Sequence, residues 1–258
     1  MGQKKLIKFA AIKAYENVLE FPQDMQGKWA AFFDALNNGK TSTKLTLELA
    51  CGRGEYAVGL GRMFPEQNFI GIDLKGNRIW KGASIANKDG LKNVAFVRSQ
   101  IELTSNYFAK NEVDEIWITF PDPQLRWSKA KKRLTHPKFL RLYQQFLKKE
   151  GIVHLKTDSP LLYNFTLKVI EMYGLHLIYK TDHLYTEQNI DPRCLIKTYY
   201  EGLDIAQSNK IHYIQFNIGK DLPLELDEVL KEAIKDIPMD AGELIRMEAE
   251  AARAKKEA

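Results

Sequence analysis

Short apolar segments alternate with segments of helical pattern along most of this 258-residue chain. Helices of about ten to fifteen residues between strands indicate βαβ units, so the pattern predicts a mostly parallel α/β sheet with helices on both faces. The predicted strands are 45–49, 68–73, 93–97, 113–120, 151–157, 175–181 and 210–218. The last of these seven alternates apolar and polar residues for most of its length and is predicted to be an antiparallel edge strand.

Two segments flank this α/β pattern. Residues 1–44 form a basic N-terminal arm with a helix predicted near its end, and residues 45–220 are the α/β domain. Residues 221–258 are a charged helical extension, and its Ala/Glu/Arg-rich end is predicted to be solvated or partly disordered. We therefore expect one α/β core and no second one.

Composition excludes several classes of protein. No apolar run approaches the roughly 20 residues that a membrane helix needs, so no membrane association is predicted. The two cysteines, Cys51 and Cys194, lie far apart and form neither a disulfide framework nor a zinc pattern. We therefore predict a cytoplasmic protein without a metal site. The sequence does not separate a monomer from a homodimer.

A glycine turn follows the first predicted strand. Gly52 and Gly54 let the backbone approach a ligand closely, and Asp73 ends the next strand about twenty residues on, where its carboxylate can bind ribose hydroxyls. The turn also fits the dinucleotide pattern, so NAD is a rival ligand, and a tight turn without a ligand is a third interpretation. Glu48 inside the first strand and the late antiparallel strand favour S-adenosylmethionine.

The stretch from Ile116 to Arg133 is where we expect the chemistry. An apolar strand stops at Phe120 and is followed by Asp122 between two prolines, which hold the turn stiff. A basic segment comes next. One fixed carboxylate beside many cations indicates a site for an anionic substrate. The net charge of +5 alone supports nucleic-acid binding only weakly. The evidence for an anionic substrate is therefore the clustering of cations after Asp122.

Polar side chains lie at or just after the carboxyl ends of five predicted strands. Ligands of open parallel sheets bind beyond this edge, so we expect these side chains to line one site. They are Glu48, Asp73, Gln100, Asp122 and Asp158.

Several motifs together resemble the bacterial tRNA (guanine-N7)-methyltransferases. In order and spacing they are LELACGRGE, NFIGIDLK, FPDP with a basic tract ending in KKRLT, HLKTD, and TYYE at 198–201. The resemblance covers about residues 45–218, and FPDP followed at a fixed distance by KKRLT is its most specific part. It implies a Rossmann-like class I methyltransferase fold and methyl transfer from S-adenosylmethionine to N7 of guanine 46 in the tRNA variable loop.

The resemblance also implies roles for individual residues. The position of Asp122 is the catalytic one. Methyl-donor contacts fall on Glu48, Gly52, Gly54, Asp73, Gln100 and Asp122, and substrate contacts fall on Arg126, Asp158, Thr198, Tyr199, Tyr200 and Glu201. Beside the FPDP motif we expect tRNA phosphate contacts from Lys129, Lys131, Lys132 and Arg133.

The chain departs from the family pattern at four positions. Gln124 stands where the family usually has Trp, Arg126 where Lys is usual, and Lys129 where His is common. Gln100 replaces a usual Asp or Asn and keeps the capacity to bind adenine. Two alternatives therefore remain beside tRNA methylation: a class I methyltransferase for another substrate, such as rRNA or a small molecule, and an RNA-binding homologue with impaired catalysis.

Overall fold

The computed structural model describes residues 3–37, 39, 42, 44–203 and 210–256. Its strands are β1 (Val18–Glu20), β2 (Leu45–Leu49), β3 (Asn68–Asp73), β4 (Val94–Arg98), β5 (Val113–Thr119), β6 (Leu147–Thr157), β7 (His176–Thr181) and β8 (His212–Asn217). Its helices are α1 (Gln3–Ile12), α2 (Trp29–Leu36), α3 (Glu55–Met63), α4 (Gly76–Lys88), α5 (Pro137–Tyr143), α6 (Pro160–Tyr173), α7 (Leu226–Ala233) and α8 (Ala241–Lys256).

The strands form one sheet in the order β1-β4-β3-β2-β5-β6-β8-β7. All pairings from β1 to β6 are parallel, while β8 runs antiparallel to both of its neighbours. The mostly parallel α/β sheet is therefore confirmed. The predicted edge position of the antiparallel strand is wrong, because β8 lies between β6 and β7. An all-parallel dinucleotide-binding sheet has no such inserted strand.

Part of the predicted N-terminal arm belongs to the sheet. Residues 18–20 form β1, which pairs with β4 as an eighth strand. Three residues carry too little period-2 pattern to be identified as a strand from sequence. Helix α5 is only seven residues long and ends at Tyr143, because β6 already begins at Leu147.

Two apolar layers cover the faces of the sheet. Residues of β2 and β3 are almost all buried, as is typical of central parallel strands with helices on both sides. Leu47 and Ile70 face the larger layer, which includes Trp29 of α2. Phe96 and Trp117 face the other layer, which includes Tyr56 of α3. This double burial fixes the register of the strands and therefore the positions of the side chains that follow them.

Candidate active site

The glycine turn after β2 has a backbone that ordinary residues rarely adopt. Ala50, Gly52 and Gly54 have φ values of 56°, 54° and 71°, in the left-handed region. A Cβ atom on Gly54 would lie 2.3 Å from the ring of Phe96, so both the conformation and the packing require glycine. The turn thereby presents backbone groups, rather than side chains, to the carboxyl edge of the sheet.

Two carboxylates hold this turn from different sides. Asp73 accepts hydrogen bonds from the backbone N–H groups of Gly52 at 3.0 Å and Lys75 at 2.7 Å. Glu48 lies beneath the turn, where it accepts from the N–H of Ala57 at 2.9 Å and the hydroxyl of Thr119 at 3.2 Å. Burial raises the pKa of Glu48 to about 8, so this group is largely protonated at neutral pH.

The loop after β5 is a second strained segment. Phe120 and Gln124 bracket the Pro-Asp-Pro sequence and have φ values of 47° and 50°. Positive φ at non-glycine residues is costly and is retained where the surrounding structure enforces it, often at active sites. Asp122 at the tip is exposed, and its carboxylate accepts from the N–H of Gln124 at 3.0 Å.

Arg133 holds this strained loop in place from beneath it. Its side chain is fully buried and donates from Nε to the carbonyl of Pro123 and from Nη2 to the carbonyl of Gln124, each at 3.1 Å. The guanidinium also lies 4.6 Å from the ring centre of Phe165. Burial lowers the pKa of Arg133 to about 10. The phosphate contact predicted for Arg133 is therefore wrong in this structure, because its guanidinium faces the loop rather than the surface.

The other cations of the basic tract remain accessible. A short 3-10 helix spans Trp127–Lys132 and leaves Lys131 and Lys132 exposed, with Lys129 and Arg126 partly exposed. Sequence pattern alone does not separate Arg133 from its neighbours. The distinction arises because the chain turns inward at the end of this helix.

The segment 198–201 is held by a buried lysine. Lys156 of β6 donates from Nζ to the carboxylate of Glu201 at 3.0 Å, the carbonyls of Cys194 and Ile196, and the hydroxyl of Tyr185. The Tyr185 hydroxyl donates to the other carboxylate oxygen of Glu201. The N–H of Glu201 in turn donates to the hydroxyl of Thr198. Burial lowers the pKa of Lys156, and Glu201 partly opposes this effect.

This segment also contacts the glycine turn. The guanidinium of Arg53 lies 3.5 Å from the ring centre of Tyr199, and a Cβ on Gly52 would lie 3.4 Å from the ring of Tyr200. The predicted cofactor turn and the predicted substrate segment are therefore neighbours, although about 150 residues separate them in the sequence.

A cleft of about 390 Å³ opens between these elements, within the usual size of small-molecule sites. Five predicted site residues line it: Asp73, Asp122, Asp158, Thr198 and Tyr200. The cleft lining does not include Glu48, which lies beneath the turn, or Gln100, which is exposed after β4. The assignment of these two residues to the methyl donor stays a prediction, as do the other individual roles.

Four charged residues that line the cleft are not among those predicted from the sequence. They are Glu55, Lys75, Arg78 and Arg246. The first three adjoin the carboxyl ends of β2 and β3, so their position in the sequence was a usable signal. Arg246 lies in the C-terminal extension, for which no sequence pattern indicated a place near the sheet.

The described part of the chain contains neither a membrane-spanning helix nor a metal-binding cluster. No helix there is long and apolar enough to cross a membrane. No group of three or more His, Cys, Asp or Glu side chains among the same residues is placed to hold a metal ion. Cys51 and Cys194 are both buried free thiols.

The residues at the carboxyl edge fit a nucleoside ligand that carries a cationic group. Asp73 is fixed by two N–H donors and also lines the cleft, where its remaining lone pairs are available to hydroxyl donors. The left-handed turn at Gly52 gives close backbone access, and the acids of the cleft favour a positive centre. Together with the inserted antiparallel strand, this site defines the class I S-adenosylmethionine-dependent methyltransferases.

Comparisons with known proteins identify the family within that class. A family model described as a putative methyltransferase matches residues 42–213. The tRNA (guanine-N(7)-)-methyltransferase of Bacteroides fragilis is 44% identical over 88% of this chain and 93% of its own length. The enzyme with the same description from Porphyromonas gingivalis is 46% identical over 82% of this chain and 83% of its own. The chain belongs to the bacterial tRNA (guanine-N7)-methyltransferase family.

Solved structures support the fold independently. The crystal structure of the 16S rRNA methyltransferase KamB aligns with a TM-score of 0.54 at 13% identity, covering 74% of this chain and 94% of its own. At this identity the likeness shows the fold alone. The family assignment replaces the nicotinamide-dinucleotide alternative that the glycine turn by itself left open.

Proposed function

We propose that this protein transfers a methyl group from S-adenosylmethionine to N7 of a guanine in tRNA, at position 46 of the variable loop. The observation that carries the proposal is the cleft itself, which is lined by Asp73 beside the glycine turn, Asp122 on the strained loop, Asp158 and Thr198. The sequence relatives described as tRNA (guanine-N(7)-)-methyltransferases support the same reaction.

The chemistry needs positioning more than acid–base catalysis. When bound, S-adenosylmethionine supplies a methyl group on a sulfonium. The N7 lone pair of guanine forms the new bond to carbon, and the carbon–sulfur electron pair leaves with sulfur. N7 carries a free lone pair at neutral pH, so no proton has to be removed first. The chain therefore contributes mainly by holding two ligands in line.

Asp122 is the proposed catalytic residue. The methylated base is cationic, and a carboxylate that is already fixed stabilises developing positive charge without reorganisation. The hydrogen bond from the Gln124 N–H and the bonds from Arg133 to the same loop hold Asp122 in place. Glu48, Gly52, Gly54, Asp73 and Gln100 are the further proposed contacts to the methyl donor.

Glu201 is the proposed acceptor for the guanine edge. The Watson–Crick edge of guanine offers two adjacent donors, N1–H and N2–H₂. Each carboxylate oxygen of Glu201 already accepts one bond, from Lys156 or Tyr185, and a carboxylate has about four acceptor sites. The proposal assigns the two remaining sites to the base, and it requires the Glu201 side chain, which is 6% exposed and outside the cleft lining, to become accessible when tRNA binds. Arg126, Asp158, Thr198, Tyr199 and Tyr200 complete the proposed substrate contacts.

The exposed cations beside the cleft suit the tRNA backbone. Lys129, Lys131 and Lys132 follow Asp122 by only a few residues, so phosphates near the target base come within their reach. Two buried thiols without a disulfide fit a reducing compartment, and we propose a cytoplasmic enzyme that acts as a monomer or homodimer.

One assay tests the proposal and its alternatives. The protein is incubated with labelled S-adenosylmethionine and unmodified tRNA, and the tRNA is digested to nucleosides. We expect label in 7-methylguanosine, and loss of that label when guanine 46 is replaced by adenine. Label in another nucleoside or in rRNA would identify a methyltransferase of different specificity. Absence of label together with retained tRNA binding would identify a binding protein with impaired catalysis.

A further inference from the structure

The C-terminal helix α8 is anchored at the active site by a buried acid. The carboxylate of Glu243 accepts from the Ser159 hydroxyl and from the N–H of Leu161 at 3.1 Å, at the start of α6. Glu243 is fully buried, and burial raises its pKa while these bonds oppose the shift. A buried acid with several donors is costly to displace, so the first turn of α8 is fixed beside Asp158. The solvated tail predicted for this segment is therefore wrong for its first turn.

Arg246 lies one helical turn beyond that anchor. Residues three apart on a helix share a face, so fixing Glu243 also directs Arg246 toward the sheet. Arg246 is partly buried and lines the cleft together with Asp122 and Asp158. Leu244 and Ile245, between the two residues, point to solvent.

The guanidinium of Arg246 is available to an anion. Among the residues that the structure describes, no carboxylate lies within ion-pair distance of it. Arg246 reaches the cleft from the α6 side, which carries Asp158. The other cations of the cleft lining, Lys75 and Arg78, follow the end of β3, where Asp73 binds the glycine turn. An arginine in this position matches the geometry of an oxyanion, which its planar group binds in a bidentate manner.

We infer that Arg246 binds a backbone phosphate of the RNA substrate next to the target guanine. This inference rests on the proposed function. Two oxyanions are candidate ligands of Arg246: an RNA phosphate and the carboxylate of S-adenosylmethionine. The position of Arg246 on the Asp158 side of the cleft favours the phosphate. Helix α8 is then part of the substrate site, and its docking through Glu243 places the cation where the reacting nucleotide must sit.

The test compares Arg246→Ala with the wild-type protein in two binding titrations. Fluorescently labelled tRNA is titrated at several salt concentrations, and S-adenosylmethionine is titrated by calorimetry. We expect Arg246→Ala to weaken tRNA binding about tenfold and to lower the salt slope by about one, since one phosphate contact is lost. Binding of S-adenosylmethionine should stay within twofold. Arg246→Lys should recover part of the affinity, because it keeps the charge without the planar group.

Lys231→Ala is the matched control, because it removes the same charge from an exposed position on α7 and should leave both titrations unchanged. Weaker binding of S-adenosylmethionine with unchanged tRNA binding would overturn the inference and assign Arg246 to the donor carboxylate. Unchanged values in both titrations would also overturn it. If Arg246→Ala fails to fold, the Arg246→Lys comparison decides. A wild-type protein that forms no 7-methylguanosine refutes the proposed function instead, so the two failures are distinguishable.

Discussion

The Nε atom of Arg133 lies 3.1 Å from the carbonyl oxygen of Pro123, directly beneath the loop that carries Asp122. A basic residue of an apparently solvent-facing tract is thus the internal support of the proposed catalytic loop. Its side chain satisfies two carbonyls that the strained backbone turns away from the sheet. Within one basic tract, Arg133 therefore supports the loop, whereas its lysine neighbours are the proposed RNA contacts.

Replacement of Arg133 by Met should impair turnover more than tRNA binding. The loop would lose two charge-assisted hydrogen bonds, each worth about 1.5–3 kcal/mol, and Asp122 would no longer be held. We expect kcat to fall at least about a hundredfold, with tRNA affinity changed less than threefold. Single-turnover kinetics and tRNA binding measure the two effects. Lys138→Met, at an exposed position of α5 outside the proposed contacts, is the control. An Arg133→Met protein with normal kcat but weak tRNA binding would restore the phosphate role.

Replacement of Lys131 and Lys132 together by Ala should give the opposite result. Both side chains are exposed, and each proposed phosphate contact contributes about 0.7–0.9 to the salt slope of binding. We expect weaker tRNA binding and a slope reduced by about 1.5, with kcat at saturating tRNA nearly unchanged. The control removes Lys231 and Lys235 from α7. Equal slopes for the test and wild-type proteins would make this tract an ordinary solvated surface.

Asp122→Ala should abolish most turnover while tRNA binding survives. The carboxylate is exposed at the loop tip, so its removal creates no cavity. It removes the stabilisation of the cationic base and the hydrogen bond from the Gln124 N–H. We expect kcat to fall about 10²–10³-fold, with the dissociation constants of tRNA and S-adenosylmethionine within a few-fold. Turnover close to the wild-type value would remove Asp122 from its catalytic role.

Lys156→Met should weaken substrate recognition through Glu201. The substitution removes the cation that fixes the Glu201 carboxylate and leaves two carbonyls without their donor. We expect the KM for tRNA to rise about tenfold, and the double variant with Glu201→Gln to lose less than the sum of the single losses. Lys148→Met, on the same strand but paired with Asp114, is the control. Additive losses would show that the two residues act independently.

Glu48 should make stability depend on pH. The folded protein keeps the Glu48 proton up to about pH 8, whereas the unfolded chain releases it near 4.5. Since the folded state holds more protons in this interval, its stability falls as the pH rises through it. As the pH rises from 4.5 to 8, we expect the free energy of unfolding of Glu48→Gln to increase relative to that of the wild type. The relative gain should reach roughly a few kcal/mol at pH 8. Urea unfolding at several pH values measures this, with Glu228→Gln as control, and a pH-independent difference would contradict it.

Local sequence patterns are sufficient to predict the class of the sheet and the residues at its carboxyl edge. Period-2 and continuous apolar segments predict strands because each strand buries one or both faces, and parallel strands necessarily bring Asp73, Asp122 and Asp158 to one edge. The same local logic fails for β1, whose three residues are too few to show a pattern. It also fails for the place of β8, since antiparallel direction does not specify which neighbour a strand pairs with.

Which charged residues face inward depends on packing between elements that are distant in the sequence. Arg133 and its lysine neighbours have the same local sequence character, and burial separates them because the chain turns under the FPDP loop. Glu243 and Arg246 lie in a charged segment without a core pattern, and the contact of Glu243 with the start of α6 spans more than 80 residues. Such contacts depend on packing between distant elements, to which local periodicity is insensitive. The sequence thus predicts where the proposed reacting residues lie, and only the packed structure shows which residues hold them in place.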